Sequence, residues 1–134
     1  MLPLSLVIHL IVMGSATVLS IVAIAIAKSK MPFKNRIALH KLTAGIAAGL
    51  ILLAIAGLVV IGHLYPSLVH FYTGLAATLL LVAAAGGGLI VLDTKQADRR
   101  KKLRSMHIVI GATFIVLMLV TIAAGLAVLG VFSA

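Results

Sequence analysis

The chain has 134 residues, of which 63% are hydrophobic and 10% charged, and its formal net charge is +9. This composition leaves too little polar surface to cover a water-soluble globule, so the sequence indicates an integral membrane protein. The absence of cysteine excludes disulfides, iron–sulfur clusters, thiolate zinc sites and covalently attached c-type haem.

Four apolar runs predict four membrane-spanning helices, at residues 4–27, 37–62, 67–92 and 105–132. At a rise of about 1.5 Å per residue, each run is long enough to cross a hydrocarbon core of roughly 30 Å. The first run lacks a basic leader and a small-residue cleavage site, so we interpret it as a retained span and not as a signal peptide. Small residues in every run favour close helix packing. The predicted fold class is an all-α membrane protein, with residues 1–134 forming one antiparallel four-transmembrane-helix bundle.

The positive charge is confined to the two connections that lie on the same side of a four-span protein. The first group comprises Lys28, Lys30, Lys34, Arg36 and Lys41, and the second comprises Lys95, Arg99, Arg100, Lys101, Lys102 and Arg104. The positive-inside rule places this side in the cytoplasm and both termini outside. We therefore interpret the basic residues as topology signals and predict no nucleic-acid partner.

Four of the five histidines lie about one turn inside the ends of the predicted spans. His9 and His70 lie near the outer ends of spans 1 and 3, and His40 and His107 lie near the inner ends of spans 2 and 4. An ionisable side chain at membrane depth is costly and marks a functional position by default. In an up-down-up-down bundle, each pair can face across the interior and supply two axial imidazoles to one flat ligand. This pattern predicts two haem b groups per chain, at levels about 20 Å apart.

Small residues one turn after a ligand would make room for a porphyrin. His70 is followed by Gly74 and His107 by Gly111. The other two histidines match this pattern less closely. His40 is followed by Ala44 and Gly45, and His9 is followed by Met13 and Gly14. Most glycines are interpreted as packing residues, and the run of three at residues 86–88 has no assigned role.

Two other interpretations of the histidines remain open. Any one of them alone would more simply be an interfacial histidine hydrogen-bonded to neighbouring backbone. Zinc is a minor alternative, because His9, His63 and His70 could meet on the outer side. The joint pattern, with four histidines on alternating helices at two matched depths, favours haem.

Five further residues are predicted to surround the two sites. Near the inner site, Lys34, Arg36, Lys41 and Arg104 could pair with haem propionates or attract an anionic reductant. At the outer end of span 2, His63 lies about 140° around the helix from His40. We interpret it as a rim residue for a propionate or an outer substrate, with interfacial anchoring as an equal alternative.

Motifs around these histidines also carry a family resemblance. Residues Arg104–Thr113 have an arginine three residues before the histidine and Gly-Ala-Thr soon after it. Residues Leu64–Gly74 read Leu-Tyr-Pro-Ser-Leu-Val-His and end on glycine, and Lys34–His40 combine basic residues with Leu-His. Together with His9–Met13, these segments resemble the cytochrome b561 family of di-haem transmembrane electron carriers, over essentially the whole chain. This chain has only four core helices, whereas eukaryotic members have an additional helix at each end.

The resemblance implies transmembrane electron transfer through two bis-histidine haems in a minimal, prokaryotic relative. The implied location is a prokaryotic cytoplasmic membrane, and the implied partners are a small-molecule or protein electron donor and acceptor, with a quinone as one candidate. The protein would count as a transmembrane oxidoreductase if it takes electrons directly from a small-molecule reductant. The oligomeric state stays open, with a homodimer as one candidate.

Two alternative functions come from other classes. One is a haem-binding membrane anchor that holds a soluble subunit of a respiratory or redox complex against the bilayer. The other is a small transporter, which the sequence disfavours because its only acidic residues, Asp93 and Asp98, lie in the second basic connection.

The charge distribution generates a topology prediction. Because all eleven Lys and Arg residues lie in or beside the two inner connections, both termini should be outside. A C-terminal reporter that is active only outside the cytoplasm should give signal, and one active only inside should not. The opposite result would invert the topology.

Overall fold

The computed structural model describes residues 4–62 and 69–128 and contains four α-helices there. They are α1 (Leu4–Lys28), α2 (Phe33–Val60), α3 (Val69–Asp93) and α4 (Ala97–Val128). All four are long and apolar enough to cross a membrane. The all-α fold class is therefore confirmed, and the chain is a multi-pass membrane protein by the length and composition of its helices.

Two helices begin earlier than the apolar runs that predicted them. α2 starts at Phe33 and α4 at Ala97, so both include several charged residues before the apolar segment. Lys and Arg are good helix formers, and the backbone can therefore stay helical where the side chains meet water. Hydropathy locates the membrane segment, whereas the helix start depends on local signals such as Pro32, which immediately precedes α2 with φ −51° and ψ 139°.

The C-terminal end of α2 is followed by a glycine. Gly62 has a φ of +70°, and its backbone N–H donates to the Val59 carbonyl, while the Ile61 N–H donates to Gly57. A positive φ at this position suits glycine, because a Cβ would be strained there. This terminates the helix before His63, which lies outside the described residues.

The first compact unit is a hairpin of α1 and α2. Its buried side chains are mostly small, with Ala16, Ala23 and Ala47 almost fully covered. Small residues let helix backbones approach closely in a membrane, where van der Waals contact replaces the hydrophobic effect as the main attraction. The buried hydroxyls of Thr17 and Ser20 donate to carbonyls one turn earlier in α1, each at 2.8 Å, so burying them leaves no unmet donor.

The second compact unit is a hairpin of α3 and α4. Ala77 and Ala84 of α3 are buried, as are Phe114, Met118 and Thr121 of α4. The larger side chains of α4 thus pack over the small residues of α3. The Thr121 hydroxyl donates within its own helix to the Leu117 carbonyl at 2.8 Å.

The two hairpins bury equivalent positions, which reveals an internal repeat. Residues of α1 correspond to residues of α3 that are 61 positions later, and residues of α2 to residues of α4 that are 67 positions later. Buried residues match in pairs, namely Ala16 with Ala77, Ala23 with Ala84, Ala47 with Phe114, and Ile51 with Met118. The same offsets pair His9 with His70 and His40 with His107. The chain therefore repeats one helical hairpin together with its histidines, a feature that the sequence analysis missed.

The alanines in the helix contacts generate a stability prediction. Ala77 has no exposed surface, so Ala77→Leu would force α3 and α4 apart and should destabilise the fold by about 1–3 kcal/mol. Ala76→Leu is the matched control, because Ala76 is exposed. Unfolding of the detergent-solubilised protein measures both variants. Equal stability of the two would contradict the observed contact face of α3.

Candidate functional site

Each hairpin holds two half-buried histidines, one toward each end. His9 lies in the second turn of α1 and His40 in the second turn of α2, whereas His70 is the second residue of α3 and His107 lies in the third turn of α4. Each predicted axial pair thus has one member in each hairpin. The pairing of His9 with His70 and of His40 with His107 stays a prediction.

Three of these histidines hydrogen-bond to a backbone carbonyl of the other helix in their hairpin. His40 Nδ1 lies 2.8 Å from the Ala23 carbonyl oxygen in the first hairpin. In the second hairpin, His107 Nδ1 lies 2.9 Å from the carbonyl oxygen of Ala84. At the other end of that hairpin, His70 Nδ1 lies 2.8 Å from the carbonyl oxygen of Thr121. These bonds link neighbouring helices near both ends of α3 and α4.

The chemistry of the carbonyl determines which ring nitrogen carries the proton. A carbonyl oxygen only accepts hydrogen bonds, so Nδ1 must donate at His40, His70 and His107. In a neutral imidazole the lone pair is then on Nε2. Metal-ligating histidines characteristically donate their other ring N–H to a carbonyl, carboxylate or water, which fixes the ring and makes the ligating nitrogen more basic. The imidazoles of His40, His70 and His107 are therefore suited to bind a metal ion through Nε2.

The histidines and the accepting carbonyls recur at one spacing. Ala84 follows His70 by 14 residues, and Thr121 follows His107 by 14 residues. Fourteen residues are close to four helical turns, so the two groups share one face of their helix and are separated by about 21 Å along it. Ala23 follows His9 at the same interval. Each hairpin thus has two histidine levels with the separation expected from the sequence.

Two histidine rings in the second hairpin lie directly against glycines. A Cβ built on Gly125 would lie 2.9 Å from His70 Nδ1, and one built on Gly88 would lie 3.1 Å from His107 Cε1. The sequence analysis missed both residues. A signal was present, because each glycine follows the histidine of its own helix by 18 residues. Eighteen residues are five full turns, which puts the glycine on the same helix face as that histidine.

The small residues predicted to make room for a porphyrin differ in the space around them. A Cβ on Gly111 or Gly45 would meet no atom within 4 Å. A Cβ on Gly74 would lie 3.5 Å from Thr121 Cγ2, which is an ordinary van der Waals contact. The reason is geometric, since His70 faces α4 and the residue one turn later shares that face. The predicted role of Gly74 beside a porphyrin stays a prediction.

His9 lines a pocket at the end of the first hairpin that is far from the α1–α2 connection. The pocket has a volume of about 330 Å³ and is lined mostly by apolar side chains. Its other lining residues are Ser5, Ile8, Val12, Leu53, Ala54, Gly57, Leu58 and Ile61. The repeat makes Leu58 the counterpart of Gly125, so the surroundings of His9 and His70 differ at the position that touches His70.

The basic residues predicted around the inner site have two kinds of environment. Lys34, Lys41 and Arg104 are exposed. Arg36 is half-buried, its Nη1 donates to the Ser29 carbonyl at 3.1 Å, and its guanidinium lies 5.8 Å from the centre of the Phe33 ring. Arg36 thus closes the connection between α1 and α2.

An equivalent interaction closes the connection between α3 and α4. Arg100 Nε donates to the Thr94 carbonyl at 2.7 Å, and its Nη2 lies 3.4 Å from the Lys95 carbonyl oxygen. The sequence analysis assigned Arg100 only to topology. In both hairpins an arginine on the second helix therefore binds carbonyls that follow the first helix.

Within residues 4–62 and 69–128, no group of three or more His, Asp or Glu side chains could hold a metal ion. The zinc alternative named in the sequence analysis requires His63, which is outside these ranges. Comparison of the chain with known protein families, with characterised proteins and with solved structures finds no match. The resemblance to the cytochrome b561 family accordingly stays a prediction carried by the motifs alone.

The carbonyl bonds generate a prediction that is independent of any cofactor. An asparagine can place an amide N–H close to the position of Nδ1, whereas leucine cannot donate a hydrogen bond. His107→Leu should therefore lose about 0.6 kcal/mol of stability relative to His107→Asn, the average found for hydrogen bonds between the helices of a membrane protein. Detergent unfolding of the two haem-free variants measures the difference. If the leucine variant were equally stable, the bond to Ala84 would contribute nothing to the hairpin.

Proposed function

We propose that this chain is a di-haem b-type electron carrier that transfers electrons between the two sides of a membrane, as the cytochrome b561 family does. His40 and His107 hold the inner haem, and His9 and His70 hold the outer haem. Its partners are a small-molecule or protein electron donor on one side and an acceptor on the other, and a quinone is one candidate.

The observation that carries the proposal is the hydrogen bond that each of three histidines in an apolar setting makes to a backbone carbonyl of the other helix. Nδ1 of His40, His70 and His107 donates to a carbonyl at 2.8–2.9 Å, which puts the lone pair of each neutral ring on Nε2. Zinc and other tetrahedral metals require three or four ligands at one level, whereas a bis-histidine haem requires two. Each helix has one histidine near a haem level and each hairpin has two such levels, so two hairpins could supply the two ligands that each haem requires.

When bound, each haem supplies reversible one-electron chemistry at its iron. The protein's own contribution would be to orient the imidazoles that hold the haems and to exclude water from the apolar spans. Hydrogen bonds to the carbonyls of Ala23, Ala84 and Thr121 fix the three ring planes and make Nε2 a stronger donor to iron. No ligand exchange is needed for electron transfer with this arrangement.

The exposed basic residues support an anionic partner near the inner haem. Lys34, Lys41 and Arg104 are within two turns of His40 or His107 in their helices and are exposed. Such groups can pair with propionates or concentrate an anionic reductant. Arg36 is less available to pair with a propionate or an anionic reductant, because its guanidinium already donates to the Ser29 carbonyl.

One competing explanation uses the same hydrogen bonds. A histidine that only ties two membrane helices together would also bond to a backbone carbonyl. This explanation predicts no bound haem, and because it leaves the same lone pair on Nε2, only a haem measurement separates it from the proposed function. The membrane-anchor function keeps the haems and adds a soluble partner, which copurification would identify.

Haem counting of histidine variants tests the proposal directly. The wild-type chain should bind two low-spin haems, as measured by pyridine haemochrome and by a reduced-minus-oxidised spectrum. His107→Asn should bind one, because the amide keeps the hydrogen bond to Ala84 but offers iron no imidazole. His40→Asn should lose the same haem, whereas His70→Asn should lose the other.

Controls separate loss of a ligand from loss of the fold. The asparagine variants should unfold at nearly the same detergent concentration as the haem-free wild type, and His63→Gln should keep two haems. A wild-type chain that contains no haem would refute the proposed function. Two low-spin haems in His107→Asn would show that the pairing of α2 with α4 is wrong.

A further inference from the structure

We propose that Gly125 and Gly88 are positioning residues for His70 and His107: a side chain at either glycine would push the imidazole away from the carbonyl that holds it. The inference deepens the proposed function, on which its importance for haem rests. The hydrogen bond itself can be measured with or without haem.

The contact distances support this role. A Cβ on Gly125 would lie 2.9 Å from Nδ1 of His70, which is closer than real Cβ atoms come, and 3.0 Å from Cε1 of the same ring. The atoms in the way belong to a ring whose Nδ1 is held 2.8 Å from the Thr121 carbonyl oxygen. The ring cannot yield without stretching that hydrogen bond.

Gly88 is placed against His107 in the same way but with slightly more room. A Cβ there would lie 3.1 Å from Cε1 and 3.4 Å from Nδ1 of His107. Gly88 comes one turn after Ala84, whose carbonyl accepts the His107 hydrogen bond, and Gly125 comes one turn after Thr121. A side chain one turn after a carbonyl lies over that carbonyl on the helix surface, so a glycine there uncovers it for a second donor.

The first hairpin provides an internal comparison. The repeat places Ala27 where the second hairpin has Gly88, and His40 still bonds to the Ala23 carbonyl at 2.8 Å. A methyl group at this position is therefore compatible with the hydrogen bond when the ring has a suitable orientation, as at His40. This comparison predicts a graded effect in the second hairpin, with Gly125→Ala more severe than Gly88→Ala.

Displacing the ring has a consequence at iron. A weaker Nδ1–H bond makes Nε2 less basic, which stabilises the ferric state less and raises the reduction potential. The glycines would thereby tune a haem that they do not ligate. A purely structural glycine would change stability and leave the potential and the ring N–H unaltered.

The test compares Gly125→Ala and Gly88→Ala with Gly87→Ala in the full-length protein labelled with ¹⁵N-histidine. Gly87 is the matched control, because it adjoins Gly88 in α3 and a Cβ there would meet no atom within 4 Å. NMR spectra of the reduced, diamagnetic protein report the imidazole N–H protons, and His70→Asn and His107→Asn assign them. If the wild type contains no haem, the same spectra are taken on the haem-free chain.

We expect solvent exchange of the His70 N–H to accelerate about five- to tenfold in Gly125→Ala, the change that loss of one hydrogen bond produces. Gly88→Ala should accelerate exchange at His107 by less, and Gly87→Ala should change neither. In haem-loaded protein, Gly125→Ala should keep two haems while the potential of one rises.

Unchanged N–H exchange at both histidines in the alanine variants would overturn the inference. If Gly125→Ala does not fold, Gly88→Ala alone decides it. The wild-type haem count is read separately, so an absence of haem refutes the proposed function without affecting the result for the glycines.

Discussion

The structure depends on how an imidazole is satisfied inside an apolar helix pair. Each hydrogen bond at His40, His70 and His107 runs to a carbonyl within another helix, which already accepts its own backbone N–H. A carbonyl has two lone pairs, so it can accept a second bond without breaking the helix. This lets a polar ring enter an apolar helix pair, in a chain whose only acidic residues are Asp93 and Asp98.

That interaction constrains the packing around it. In the α3–α4 hairpin, the ring reaches a carbonyl where the backbones come close and where a glycine leaves the oxygen uncovered. Alanine at buried positions such as Ala16 and Ala77 provides the first condition. Glycine one turn beyond the accepting residue provides the second in the α3–α4 hairpin. The small residues and the histidines therefore belong to one arrangement, although sequence inspection treats them as separate features.

The sequence predicted what depends on composition and missed what depends on contact. Long apolar runs require helices in a membrane, so all four helices could be predicted. Their starts at Phe33 and Ala97 could not, because charged residues continue a helix as readily as apolar ones do. The four histidines stood out because an ionisable group in an apolar run is costly. Their carbonyl partners did not, since a backbone oxygen has no signature in the sequence. Gly88 and Gly125 each follow the histidine of their own helix by five turns. That spacing points to a contact only when the neighbouring antiparallel helix, which carries the other histidine, is also considered.

The repeated hairpin also bears on how such a chain could arise. A unit of two spans leaves the membrane on the side from which it entered, so a duplicated copy starts with the orientation of the original. The basic connection of each copy then stays on the same side of the membrane without any redistribution of charge. If the repeated unit had an odd number of spans, its second copy would have the opposite orientation in the membrane. The basic residues of that copy would then lie on the wrong side. A gene fusion of two hairpins therefore needs no intermediate with conflicting charge, and divergence can act at once on positions such as Leu58 and Gly125, where the copies already differ.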